Sequence, residues 1–174
     1  RFLAIWEQIA TRYQDRPAAL AFELLNEPHD NLTAAKWNAI LAEALQVVRG
    51  TNPTRTIVIG PVAWNGISEL KSLVLPEADR NLVVTVHFYS PFPFTHQGAT
   101  WVDEKSRSPV GTQWTGTPEE CKAITDDLDT AIIWAVRHRR PIYLGEFGAF
   151  EKADLASRAR WTKFVADEAT KRRM

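Results

Sequence analysis

Ala19-Leu20-Ala21-Phe22-Glu23-Leu24-Leu25, followed by Asn26-Glu27-Pro28-His29-Asp30-Asn31, is the stretch on which the fold turns. Seven mostly apolar residues are too few for a helix. They suit a strand buried on both faces, the kind found in parallel sheets. The polar residues after them read as a loop. Thr33 can then cap a helix over 34–48 that lines up Trp37, Ile40, Leu41, Ala44, Leu45 and Val48, with Gly50 and Pro53 as its stop.

This strand–loop–helix unit recurs in both directions. Upstream, Phe2, Trp6, Ile9 and Tyr13 fall at helical spacing over 1–14, and Asp15-Arg16-Pro17 breaks the helix. Downstream, Thr56-Ile57-Val58-Ile59 reads as a second strand and 66–73 as a short helix. Leu82 to Tyr89 is a third strand, followed by a long loop over 90–116. Thr117-Pro118-Glu119-Glu120 has the cap, the first-position proline and the capping-box glutamate of a helix that continues to about 138. Ile142 to Phe147 is a fourth strand, and an amphipathic helix over 154–172 uses Leu155, Ala159, Trp161, Phe164 and Val165. No Asn-Gly or Asp-Gly turn joins two strands directly. Strands alternating with helical crossovers give a parallel sheet and an α/β fold. A complete (β/α)8 barrel needs about 250 residues, so four units are half of one, or a small doubly wound sheet.

Composition narrows the function. Of 174 residues, 45% are hydrophobic and 24% charged, as in one soluble domain. Lys plus Arg and Asp plus Glu are both 21, a balance that argues against a nucleic-acid or anionic-membrane partner. The one cysteine, Cys121, offers neither an intrachain disulfide nor a metal knuckle. No run of about 18 apolar residues spans a membrane. Arg1 to Trp6 lack the parts of a signal peptide.

Strand alternation sorts the chemistry. Glu23 and Glu27 share one face at the first strand, Thr85, His87 and Tyr89 one face of the third, and Leu144 and Glu146 one face of the fourth. The C-terminal edge of a parallel sheet is where α/β active sites are built. Two carboxylates there, Glu27 and Glu146, suit glycosidic cleavage: one donates a proton to the leaving oxygen, the other attacks or activates water. There is no G-x-S-x-G elbow, no Cys–His pairing, and Gly145-Glu146-Phe147-Gly148 is not a phosphate loop. His29, Asp30, His87 and His96 show no metal-hydrolase spacing, so no metal and no cofactor are expected.

Leu24-Leu25-Asn26-Glu27-Pro28 and Leu144-Gly145-Glu146-Phe147-Gly148 resemble the two catalytic signatures of glycoside hydrolase family 5, the cellulase and mannanase family. Val86-His87-Phe88-Tyr89 is similar to that family's sixth-strand signature. Tyr89-Ser90-Pro91-Phe92 through Phe94-Thr95-His96-Gln97-Gly98-Ala99 and Trp101 resembles its bacterial endoglucanase branch. The resemblance covers the whole chain and implies a (β/α)8 barrel. Residues 1–174 would be strands four to seven of it, one catalytic domain lacking its N-terminal strands and its last strand. The family's Arg, His and late-strand Trp on those strands have no counterpart here. The excerpt alone is expected to be inactive.

Carried over, the resemblance implies that Glu27 is the acid/base and Glu146 the nucleophile of a retaining endo-β-1,4-glycanase acting on β-glucan or mannan. Asn26 would bind the sugar 2-hydroxyl, Tyr89 would donate its hydroxyl to Glu146, and His87 would orient the acid/base side. His96 and Trp101 are further substrate-binding candidates, Trp101 with Trp114 and Trp64 as stacking platforms for sugar rings. Trp6, Trp37, Trp134 and Trp161 lie on helical stripes and are expected in the core, and Glu23 is expected as a paired core acid. The parent protein is expected to be secreted or periplasmic. The competing reading is a non-catalytic carbohydrate-binding or inactive fragment; a third is a metal-dependent hydrolase.

Overall fold

A computed structural model describes residues 1–174. The elements follow the expected alternation. In order they are α1 (Phe2–Arg12), β1 (Phe22–Glu23), α2 (Ala34–Thr51), β2 (Ile57–Ile59), a single turn α3 (Val62–Asn65) and a 3-10 helix (Ile67–Ser72). Then come β3 (Leu82–Phe88), a short α4 (Phe92–Thr95), a second 3-10 turn (Glu104–Ser106), α5 (Pro118–His138), β4 (Ile142–Phe147) and α6 (Leu155–Lys171). The four strands form one sheet in the order β1-β2-β3-β4. β1 pairs with β2 and β2 with β3 in parallel, Phe22 opposite Ile57 and Ile57 opposite Leu82. No helix is long and apolar enough to cross a membrane.

The chain divides into two compact units, residues 1–86 with 135–143, and residues 87–134 with 144–174. In the first, α1 packs on α2. Trp6 and Ala10 of α1 are buried, as are Trp37, Leu41, Ala44, Leu45 and Val48 of α2. Both tryptophans find acceptors for their N–H: Trp6 donates to the Leu24 carbonyl at 3.0 Å and Trp37 to that of Gly60 at 2.9 Å. Burial therefore costs neither ring a hydrogen bond. Thr33 caps α2 as expected. The helix runs through Gly50 to Thr51, past the expected stop near 48. Pro53 ends it, because the residue before a proline is pushed out of helical conformation.

β1 is shorter than the strand expected over 19–25, and Arg55 lies beside its N-terminal end. Its buried guanidinium donates to the carbonyls of Tyr13, Gln14, Arg16, Pro17 and Leu20 and to Asn52 Oδ1, and it lies 5.0 Å from the centroid of the Phe22 ring. Of these acceptors only the Leu20 carbonyl falls within the expected strand. Residues 17–20 turn instead, closed by Leu20 N–H to the Pro17 carbonyl.

In the second unit, α5 begins on the expected capping box. The Glu120 amide donates to Thr117 Oγ1 at 3.2 Å, and Glu120 Oε2 accepts the Thr117 amide at 2.9 Å. Trp161 of α6 is fully buried, lies beside Phe88, Phe94 and Phe147, and donates to the Ser90 carbonyl at 3.0 Å. The stretch expected as loop over 90–116 is folded around Gln97, which is fully buried. Gln97 donates to the carbonyls of Phe94 and Thr112 and accepts from the Gly111 amide. A buried amide with its donors and acceptor engaged holds such a segment as firmly as regular structure would.

Candidate active site

β3 and β4 present their polar residues at their C-terminal ends. Thr85 and His87 of β3, and Tyr89 just beyond its end, alternate with Val86 and Phe88. The Tyr89 hydroxyl donates to Glu146 Oε2 at 2.8 Å. His87 Nδ1 lies 3.5 Å from the same oxygen, too long for a strong hydrogen bond. The His87 side chain is 3% exposed and that of Glu146 43%. The carboxylate is thus held by a donor and still partly exposed.

Beside Tyr89 lies an aromatic cluster that spacing did not indicate. The His96 ring stacks on Phe92, centroids 4.1 Å apart at 12°, and meets the Tyr89 ring edge-on at 5.1 Å. Thr95 Oγ1 donates to the Tyr89 carbonyl at 2.6 Å and contacts His96 Nδ1 at 2.9 Å. Phe150, just past β4, donates its amide to the Thr95 carbonyl at 2.7 Å. Trp101 is 64% exposed and sits edge-on to Phe150, centroids 4.6 Å apart, so a face remains for a ligand. Trp114 does not share that role. It is 1% exposed, lies 5.7 Å from the Phe164 ring, and its carbonyl accepts from Arg160.

In the first unit the pairing of β1 ends at the Leu24 amide, which donates to the Val58 carbonyl. Asn26 is exposed, and Glu27, half-buried, has φ 48°. A left-handed glutamate is uncommon and costs about 1–3 kcal/mol, so the surrounding fold must hold it. After β2, Ala63, Trp64 and Asn65 are all left-handed, with φ 55°, 56° and 55°. That turn needs Gly60, where an added Cβ would come within 2.0 Å of Asn65 Oδ1. It presents Trp64, 52% exposed, stacked on His29 at 5.1 Å and 12°. His29 Nδ1 in turn lies 3.0 Å from Asp30 Oδ2.

Most expected residues therefore sit at the C-terminal ends of strands or in the loops that follow. Glu23 differs: it is exposed rather than buried, while Phe22 and Leu24 on the opposite face are buried. Trp6, Trp37, Trp134 and Trp161 are buried as expected. Thr95 and Gln97 stood in the stretch that resembles the endoglucanase branch, but nothing in their spacing indicated their side-chain bonds to backbone carbonyls; Phe150, which acts through its amide, had no sequence signal.

A family described as Cellulase (glycosyl hydrolase family 5) matches residues 1–172. Endoglucanase H of Acetivibrio thermocellus is 35% identical over 173 residues, which cover 99% of this chain and 18% of that protein. Thermotoga maritima Cel5A, solved in complex with cellobiose, superposes with a TM-score of 0.95 at 49% identity, over 99% of this chain and 55% of that one. The same protein solved in complex with a mannotriose substrate gives the same values. The chain thus spans about half the length of those solved structures.

Proposed function

The chain belongs to glycosyl hydrolase family 5, and from that premise we propose that it carries the catalytic pair of a retaining endo-β-1,4-glycanase, with Glu146 as nucleophile and Glu27 as acid/base. The observation that carries the reading is the Tyr89 hydroxyl on Glu146 Oε2, which fixes one carboxylate at a strand end.

In the first step Glu146 attacks the anomeric carbon as the Glu27 carboxyl gives its proton to the departing glycosidic oxygen. A glycosyl ester on Glu146 forms and the leaving chain departs with its new hydroxyl. In the second step the Glu27 carboxylate takes a proton from water, whose oxygen displaces Glu146 from the anomeric carbon. Two inversions give net retention. Asn26 hydrogen-bonds the 2-hydroxyl, and Trp101 and Trp64 stack on sugar faces, whose C–H surfaces match aromatic rings. The relative solved with both cellobiose and mannotriose supports glucan and mannan together as the substrate class. A polymer-degrading enzyme works where the polymer is, so the protein belongs in the secreted or periplasmic fraction, which cell fractionation checks.

The test is hydrolysis of barley β-glucan and glucomannan by the full-length protein beside its Glu146→Gln variant. We expect release of reducing sugar from both polymers and its loss by at least about three orders of magnitude in the variant. Equal activity in the two proteins would remove Glu146 from the chemistry. Binding without hydrolysis would leave a carbohydrate-binding protein.

A further inference from the structure

Thr95 is the last residue of α4 and is 1% exposed, so its hydroxyl must find its partners inside the protein. Two lie within reach. Oγ1 is 2.6 Å from the Tyr89 carbonyl oxygen and 2.9 Å from His96 Nδ1. A hydroxyl has one proton and a carbonyl has none. The proton of Thr95 therefore goes to Tyr89, and Oγ1 turns a lone pair toward His96. An unprotonated Nδ1 at 2.9 Å would set two lone pairs against each other in a half-buried place. Nδ1 must carry the proton. The ring is held in this orientation by Phe92 on its face and Tyr89 at its edge.

We infer that Thr95 is a positioning residue: it fixes His96 as the Nδ1–H tautomer, so that Nε2 offers a lone pair and His96 accepts a hydrogen bond from a hydroxyl of the bound sugar. In a neutral imidazole the proton on one nitrogen makes the other an acceptor. The same Thr95 hydroxyl holds the Tyr89 carbonyl, and the Thr95 carbonyl holds the Phe150 amide at 2.7 Å. One buried threonine thus ties together the segments that carry Tyr89 and Glu146. The sugar half of this inference rests on the glycanase reading; the tautomer does not.

The experiment is a long-range 1H–15N spectrum of the full-length protein labelled with 15N-histidine, with a His96→Asn variant to assign the ring. At neutral pH His96 is expected to show a protonated Nδ1 and a bare Nε2. Thr95→Val should abolish that signature, and Thr95→Ser should keep it. With soluble β-glucan, Thr95→Val should raise KM about tenfold, the loss of about one neutral hydrogen bond. Thr95→Ser should restore KM. A wild-type His96 protonated on Nε2 overturns the inference, and this spectrum decides the matter even if Thr95→Val does not fold. A folded Thr95→Val that keeps the Nδ1–H signature, or loses it with KM unchanged, also overturns it. Absence of hydrolysis in the wild type would sink the glycanase reading while the tautomer result still stood.

Discussion

The Tyr89 hydroxyl, just beyond the end of β3, donates at 2.8 Å to Oε2 of Glu146 on the neighbouring strand β4. A nucleophilic carboxylate must keep one oxygen aimed at the anomeric carbon, and a donor on its other oxygen limits its rotation. Tyr89→Phe removes the donor and keeps the ring that meets His96. A hydrogen bond to a carboxylate contributes about 1.5–3 kcal/mol, so kcat on soluble β-glucan should fall about 10- to 150-fold. KM should change little. A rise in KM with kcat intact would make Tyr89 a substrate contact rather than a support for Glu146.

Glu27 should reveal its role through the leaving group. In Glu27→Ala the first step should survive on a dinitrophenyl cellobioside, whose leaving group needs no proton, and the second step should slow about 100- to 10,000-fold. Azide should then raise turnover and yield the β-glycosyl azide, identified by NMR. The α-azide would mean that Glu27 is the nucleophile and the two roles are exchanged.

The α5 cap carries a pH dependence. Burial alone pushes the Glu120 carboxyl up, but the amides of Thr117, Gly116 and Thr115 and the Thr115 hydroxyl outweigh it and hold the carboxyl below its ordinary value of 4.5. A carboxylate depressed on folding stabilises the protein above its unfolded value, and that contribution disappears as pH falls through the folded one. Glu120→Ala should therefore cost about 1 kcal/mol at pH 7 in urea denaturation. The gap to wild type should narrow as pH drops below 4. A constant gap from pH 7 to pH 3 would show that the glutamate acts by packing and not by charge.

The residues at strand ends were legible because alternation forces every second side chain to one face. His87 on β3 and Tyr89 just beyond it needed no more than that. The turn before β1 was not legible: Arg55, which holds the Pro17 and Leu20 carbonyls, lies beyond α2 and acts on backbone atoms that carry no sequence identity. The long segment after β3 was opaque for a related reason. Trp101 and Trp114 stand in aperiodic sequence, so nothing there separates the exposed ring from the buried one. Gln97 and Thr95 organise that segment by side-chain bonds to the backbone, which leave no spacing to read.

In the proposed mechanism one carboxylate attacks the sugar and the other supplies and removes the proton. Proton NMR of cellopentaose hydrolysis by the full-length protein, recorded before mutarotation, distinguishes it from a single displacement. Double displacement requires the new reducing end to appear first as the β-anomer, with the α-anomer growing in later. First appearance of the α-anomer would show a single displacement by water, and Glu146 could not then be a nucleophile.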